Sequence, residues 1–156
     1  MRRRPLVNFR LGTPFAPGDI VFHGVGAENM EDELPAFYTT SKVLFVSDER
    51  AAALWYADRW QEPDQFVMSF EIKQAPRLLL MGDFDDLRAL SDELGVPEHT
   101  YAYGNPMELA DLLCDRGDYD GWHIREGDGS GSDTAICQPA QFLRLVGVER
   151  VRAGLP

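Results

Sequence analysis

The chain has 156 residues, 26 acidic against 15 basic side chains, a formal net charge of −11, and 44% hydrophobic content. That is the profile of a globular domain long enough to bury a core without metal or disulfide staples. No apolar run approaches the ~20 residues that a membrane-spanning helix needs. So acidic a surface also repels phosphate backbones, which argues against a broad nucleic-acid-binding face.

In chain order, Met1-Arg2-Arg3-Arg4-Pro5 imitates the basic start of a signal peptide. The long apolar segment that should follow is missing, so a cytoplasmic protein is expected. The segment to Pro17 is turn-rich. Residues 19–24 read as a short strand ending at Gly24, residues 25–35 as a loop or short helix, and 36–40 and 43–47 as strands. Asp48 is placed to cap a helix over 49–60. Residues 66–72 give the cleanest strand pattern, followed by a second apolar run at 77–81.

Residues 85–94 form an acidic amphipathic helix, closed by Gly95 and Pro97. Residues 106–116 form another, with Asn105 as cap and Pro106 at the first helical position. Strands follow at 121–125 and 134–137, separated by a glycine–serine loop over 126–132. A turn at 139–141 leads into a last strand, 142–152. Many short strands with about three helices make this the α+β class, in one domain over 1–156. Cys114 lies in a helical stretch and Cys137 in a strand, and both read as buried, reduced thiols rather than a disulfide. His23, His99 and His123 show no metal-ligand spacing, so no metal is expected.

Three segments carry chemistry. In Val21-Phe22-His23-Gly24 an imidazole ends an apolar strand, beside a glycine that lets a ligand approach the backbone. From Leu44 to Ala57 a strand, a turn and a small-residue helix set Phe45 and Tyr56 eleven residues apart, placed to face each other across a planar ring. Tyr119-Asp120-Gly121, the 126–132 loop and Asp133 through Gln141 then place a carboxylate at the opening of an apolar strand, where it wants solvent or a ligand.

The order of these pieces resembles the ADP-ribosyltransferase superfamily, in the histidine–aromatic–acid branch that includes diphtheria-type toxins and poly(ADP-ribose) polymerases. The resemblance spans roughly residues 19–146 and rests on order and spacing. It implies two packed, mainly antiparallel sheets flanked by a few helices around an NAD cleft. It also implies a mono-ADP-ribosyltransferase that uses NAD as co-substrate and releases nicotinamide. The acceptor would be a protein or nucleic acid; a toxin or effector role would bring a cognate antitoxin or immunity protein. NAD glycohydrolysis and an inactive NAD- or protein-binding module are the alternatives.

By the same resemblance His23 bonds the adenosine-side ribose and the Gly24 backbone holds the nicotinamide amide. Tyr56 stacks on nicotinamide with Phe45 at the strand aromatic, Ser47 offers a hydroxyl, and Asp133 is the catalytic acid. Asp133 is one methylene shorter than the family's glutamate, with Glu126 as a substitute. Phe45 stands where tyrosine is usual, with Tyr38 as the alternative. Gly131, two residues before Asp133, leaves no E-x-E pair, which sets the arginine-modifying subclass aside.

Overall fold

The computed structural model describes residues 9–27, 38, 40–59, 64–83, 85–95, 106–125 and 132–152. Outside them lie Glu126 and the loop to Gly131, the caps Asn105 and Pro97, Trp60, and most of the 28–39 stretch. The described elements run β1 (Arg10–Gly12), β2 (Ile20–Ala27), β3 (Val43–Val46), α1 (Arg50–Arg59), β4 (Asp64–Ile72) and β5 (Leu78–Met81). There follow α2 (Asp85–Glu93), α3 (Pro106–Arg116), β6 (Gly121–Arg125), β7 (Ser132–Cys137), α4 (Pro139–Phe142) and β8 (Leu143–Arg152).

The strands form two sheets, one in the order β1-β5-β6-β7-β3 and one in the order β2-β4-β8. Every pairing is antiparallel except β5 with β6. The α+β architecture of two mainly antiparallel sheets with flanking helices is the one expected.

Period-two alternation sorts the apolar side chains into two layers. Val21, Phe66 and Phe70 of the three-stranded sheet meet Leu44, Val46 and Ile136 of the five-stranded sheet, filling the space between the sheets. On the far face of the five-stranded sheet, Trp122, Ile124 and Ala135 pack against Leu87 and Leu90 of α2 and Leu109 and Leu113 of α3. Full burial stabilises each large apolar side chain by roughly 1.5–3 kcal/mol. At α2 the Asp83 side chain accepts from the Asp85 N–H at 2.9 Å. Asp85 and Asp86 in the first turn favour its positive end, and Gly95 at φ +70° stops it.

Several expectations are corrected. Cys114 and Cys137 are joined in a disulfide, their Cα atoms 5.4 Å apart. Alternation along β7 sends Cys137, like Ala135, to the helix-covered face, where α3 presents Cys114. The ion pair of Lys42 with Asp115 adds a second tie between α3 and the start of β3. Tyr38 and Thr40, the described residues of the expected strand 36–40, are helical. β2 continues past Gly24 to Ala27, and β4 starts two residues early, at Asp64. The turn at 139–141 is a short helix reaching Phe142. β7 starts at Ser132, so Asp133 lies inside a strand instead of opening one.

Candidate functional site

The site lies where the two sheets meet, at the facing edges of β2 and β3. The ladder of β3 with β7 ends at Val46 opposite Thr134. Ser47, which one further step would set opposite Asp133, crosses instead to β2. There Phe22 N–H donates to the Ser47 carbonyl at 2.8 Å and Ser47 N–H to the Phe22 carbonyl at 2.9 Å. Continued by two residues, this antiparallel pairing would join Gly24 to Phe45. It does not continue, because His23 takes the Phe45 carbonyl through Nδ1 at 2.6 Å.

Two consequences follow from elementary geometry. A carbonyl only accepts, so Nδ1 carries the proton and, in the neutral ring, Nε2 presents a lone pair. In an antiparallel strand, alternate residues turn their backbone groups to opposite sides. Phe22 turns its groups towards Ser47, so Gly24 turns its N–H and C=O the same way, off the β2–β4 ladder and towards β3. Burial holds the His23 imidazole below the usual histidine range against the opposing pull of the Phe45 bond, so the ring is neutral near pH 7.

Gly24 is a glycine for a reason the sequence did not reveal. A Cβ there would lie 1.7 Å from the Ala53 carbonyl oxygen and 3.0 Å from the Ala57 nitrogen. α1 therefore rests directly on the β2 backbone, on the face opposite His23, and small Ala53 and Ala57 permit that approach. Tyr56, three residues after Ala53 and one before Ala57, stands half-buried on the flank of this contact, edge-on to Trp55 at 5.1 Å. At the helix entry the Ser47 Oγ accepts from the Glu49 N–H at 3.2 Å. The buried Ser47 hydroxyl keeps its proton for another acceptor.

The structure thus brings His23, Gly24, Phe45 and Ser47 to one corner, with Tyr56 on the helix above Gly24. Asp133 arrives at the same corner along β7, 6% exposed and opposite Ile124. Alternation sets its side chain on the helix-covered face with Ala135 and Phe45, not on the His23 side. The Phe45 ring is edge-on to Trp122, centroids 5.9 Å apart. Tyr38, the alternative to Phe45, packs edge-on against Phe70 at 5.1 Å in the inter-sheet layer.

The Tyr119-Asp120-Gly121 segment is architectural. Asp120 accepts from the Arg77 N–H through Oδ2 at 2.8 Å, and its own carbonyl accepts from the Cys137 N–H at 2.8 Å. Gly121, at φ +133°, lies where a Cβ would be 1.8 Å from the Ala135 carbonyl oxygen. The motif thus pins the start of β6 between β5 and β7.

Two further residues, His123 and Arg125 of β6, border this corner without standing out in the sequence. His123 is 6% exposed on the inter-sheet face, with Nδ1 at 2.8 Å from Thr134 Oγ1 and its ring edge-on to Phe15. Burial, then the nearby Arg125 charge, hold it below the usual histidine range, with Asp48 pulling the other way. Arg125 itself reaches Asp48 at 3.7 Å. The signal was the alternation in Gly121-Trp122-His123-Ile124-Arg125, which sends Trp122 and Ile124 to the helices and His123 and Arg125 to the opposite face.

Among the described residues no group of three or more His, Cys, Asp or Glu is arranged to hold a metal ion, and no helix is long and apolar enough to cross a membrane. No model of a known family matches the chain, and no curated protein matches it. Among solved structures, it is similar to one chain of the M. tuberculosis MbcT–MbcA toxin–antitoxin complex. The similarity has 10% sequence identity and a TM-score of 0.50, covering 86% of this chain and 85% of that one. The likeness is one of fold.

Proposed function

We propose that the chain is an NAD-dependent mono-ADP-ribosyltransferase, one domain over residues 1–156, with its ligand in the corner between β2, β3 and α1. The observation that carries this reading is the off-ladder N–H and C=O of Gly24, beside His23 and under α1. A backbone N–H and C=O side by side match the oxygen and the amino group of a primary carboxamide, the polar end of nicotinamide. Tyr56 then supplies a ring for stacking, the Ser47 proton a further donor, and His23 Nε2 an acceptor for a ribose hydroxyl.

In the reaction the nicotinamide–ribose bond breaks with its electron pair leaving on the pyridine nitrogen, and positive charge develops on the ribose. Asp133, as the acid, bonds the 2′-hydroxyl and stabilises that charge. Stacking and amide recognition hold the leaving ring in line. An acceptor oxygen, nitrogen or sulfur of a protein or nucleic acid then takes the ADP-ribose and gives up its proton. The fold it shares with a chain of a toxin–antitoxin complex supports a cytoplasmic toxin or effector restrained by a cognate antitoxin.

One observation favours a second reading. Alternation turns the Asp133 carboxylate and the His23 imidazole to different faces of the corner, which suits a module that binds NAD without turning it over. Nicotinamide release from NAD by wild type and Asp133→Ala, with and without cell lysate as acceptor, separates the two. Release that needs lysate and is lost in Asp133→Ala supports the transferase, and release without lysate a glycohydrolase. Binding without release supports the module, and no NAD binding sinks all three.

A further inference from the structure

Five ion pairs join described residues. Arg50–Glu149, Arg116–Asp118 and Arg144–Glu71 close to between 2.6 and 2.9 Å, and Lys42–Asp115 is tighter still. Arg125–Asp48 stands apart at 3.7 Å, beyond hydrogen-bonding distance, with the arginine side chain 69% exposed. It is also the pair beside the candidate site. Asp48 follows Ser47 directly, and Arg125 is in register with Ser132, the neighbour of Asp133. Arg125 shares the inter-sheet face of β6 with His123, the side to which His23 points. Arg50, at the start of α1, is held at 2.6 Å by Glu149.

A dinucleotide carries two negative charges on its pyrophosphate, and a chain of net charge −11 repels such a ligand unless a cation stands at the mouth of the site. We propose that Arg125 is that cation, and that on binding its guanidinium leaves Asp48 for the pyrophosphate of the dinucleotide. Asp48 is then a competitor that holds Arg125 in place while the site is empty and weakens the ligand's affinity in doing so. A guanidinium suits this exchange because its planar donors match phosphate oxygens in pairs, which a loose contact to one carboxylate oxygen leaves unused.

This inference rests on the dinucleotide reading above, and calorimetry with two probes separates the two. ADP-ribose carries the pyrophosphate, whereas nicotinamide riboside carries the amide and ribose with no phosphate. Arg125→Gln should weaken ADP-ribose about tenfold, a loss typical of one charge-assisted contact, and leave nicotinamide riboside unchanged, with Arg125→Lys in between. Asp48→Asn should tighten ADP-ribose several-fold, and the double variant should behave like Arg125→Gln alone. An unchanged melting temperature is expected for Arg125→Gln, whose side chain is largely exposed and whose ion pair is long. If wild type binds both probes and Arg125→Gln alters both alike or neither, Arg125 is not the pyrophosphate residue and the dinucleotide reading stands. Should wild type bind neither probe, both fall together.

Discussion

His23 Nδ1 donates to the carbonyl oxygen of Phe45 at 2.6 Å, and so occupies the place where β2 and β3 would otherwise have zipped together. One side chain therefore does two things. It takes the carbonyl that the next step of the Phe22–Ser47 pairing would use, and it turns its own Nε2 lone pair away from β3. The Phe45 carbonyl that would otherwise pair with the Gly24 N–H is thus taken by the imidazole.

Stacking at Tyr56 needs the ring and not the hydroxyl. Tyr56→Ala should weaken NAD binding roughly threefold to tenfold, the value of an aromatic contact of about 0.5–1.5 kcal/mol. Tyr56→Phe should bind as wild type does. Equal affinities for the two variants in a fluorescence titration would remove Tyr56 from the site.

Gly24→Ala forces a methyl group onto the α1 backbone and should destabilise the fold by about 3 kcal/mol, as overpacking against a fixed main chain does. Gly147, also in a strand, has open space within 4 Å of where a Cβ would lie. Gly147→Ala should be neutral or stabilising by up to about 1 kcal/mol. Urea midpoints measure both; a mild Gly24→Ala would mean that α1 does not rest on β2 as described.

Stability should fall on mild acidification. Burial holds His23 and His123 below the ordinary 6.5 in the folded chain, so the unfolded chain takes up protons first as pH drops. Their contribution is complete above 6.5 and is lost as pH falls from there towards the folded values. Urea midpoints at pH 7.5 and 5.5 should show the decline, and His123→Asn should reduce it. A variant with the full wild-type slope would exclude His123 as a contributor.

The disulfide closes a loop between positions 23 residues apart, which on chain-entropy grounds is worth about 3 kcal/mol. Dithiothreitol should lower the urea midpoint of wild type to that of the Cys114→Ser, Cys137→Ser double variant and leave the double variant unmoved. Identical midpoints for wild type with and without reductant would show that the bond does not form.

What the sequence made legible was local. α3 keeps its expected bounds because Pro106 starts it and the Leu109, Leu113 spacing marks its buried face. β6 does so because Trp122 and Ile124 alternate with polar neighbours. The apolar pattern predicts β7 two residues short because Ser132 and Asp133 are polar at positions that only the pairing with β6 makes strand. The cysteine pairing escaped because it depends on which face of β7 meets α3, and compartment arguments pointed the other way. In the site, order and spacing point to the segments holding His23, Phe45 and Asp133, but the face that each side chain takes is a tertiary fact. The sequence predicts that Gly24 makes room for a ligand; what the structure shows it making room for is a helix.

The alternation along β2 also leaves a signature in time. Val21, His23 and Val25 give their amide protons to the β4 ladder, whereas those of Gly24 and Gly26 lie on the side that β3 abandons. Deuterium uptake along this one strand should therefore run at two rates, slow and fast on successive residues. A ligand held by the Gly24 backbone would slow the fast set and scarcely touch the other, so occupancy of the corner is readable without a modified ligand and without turnover.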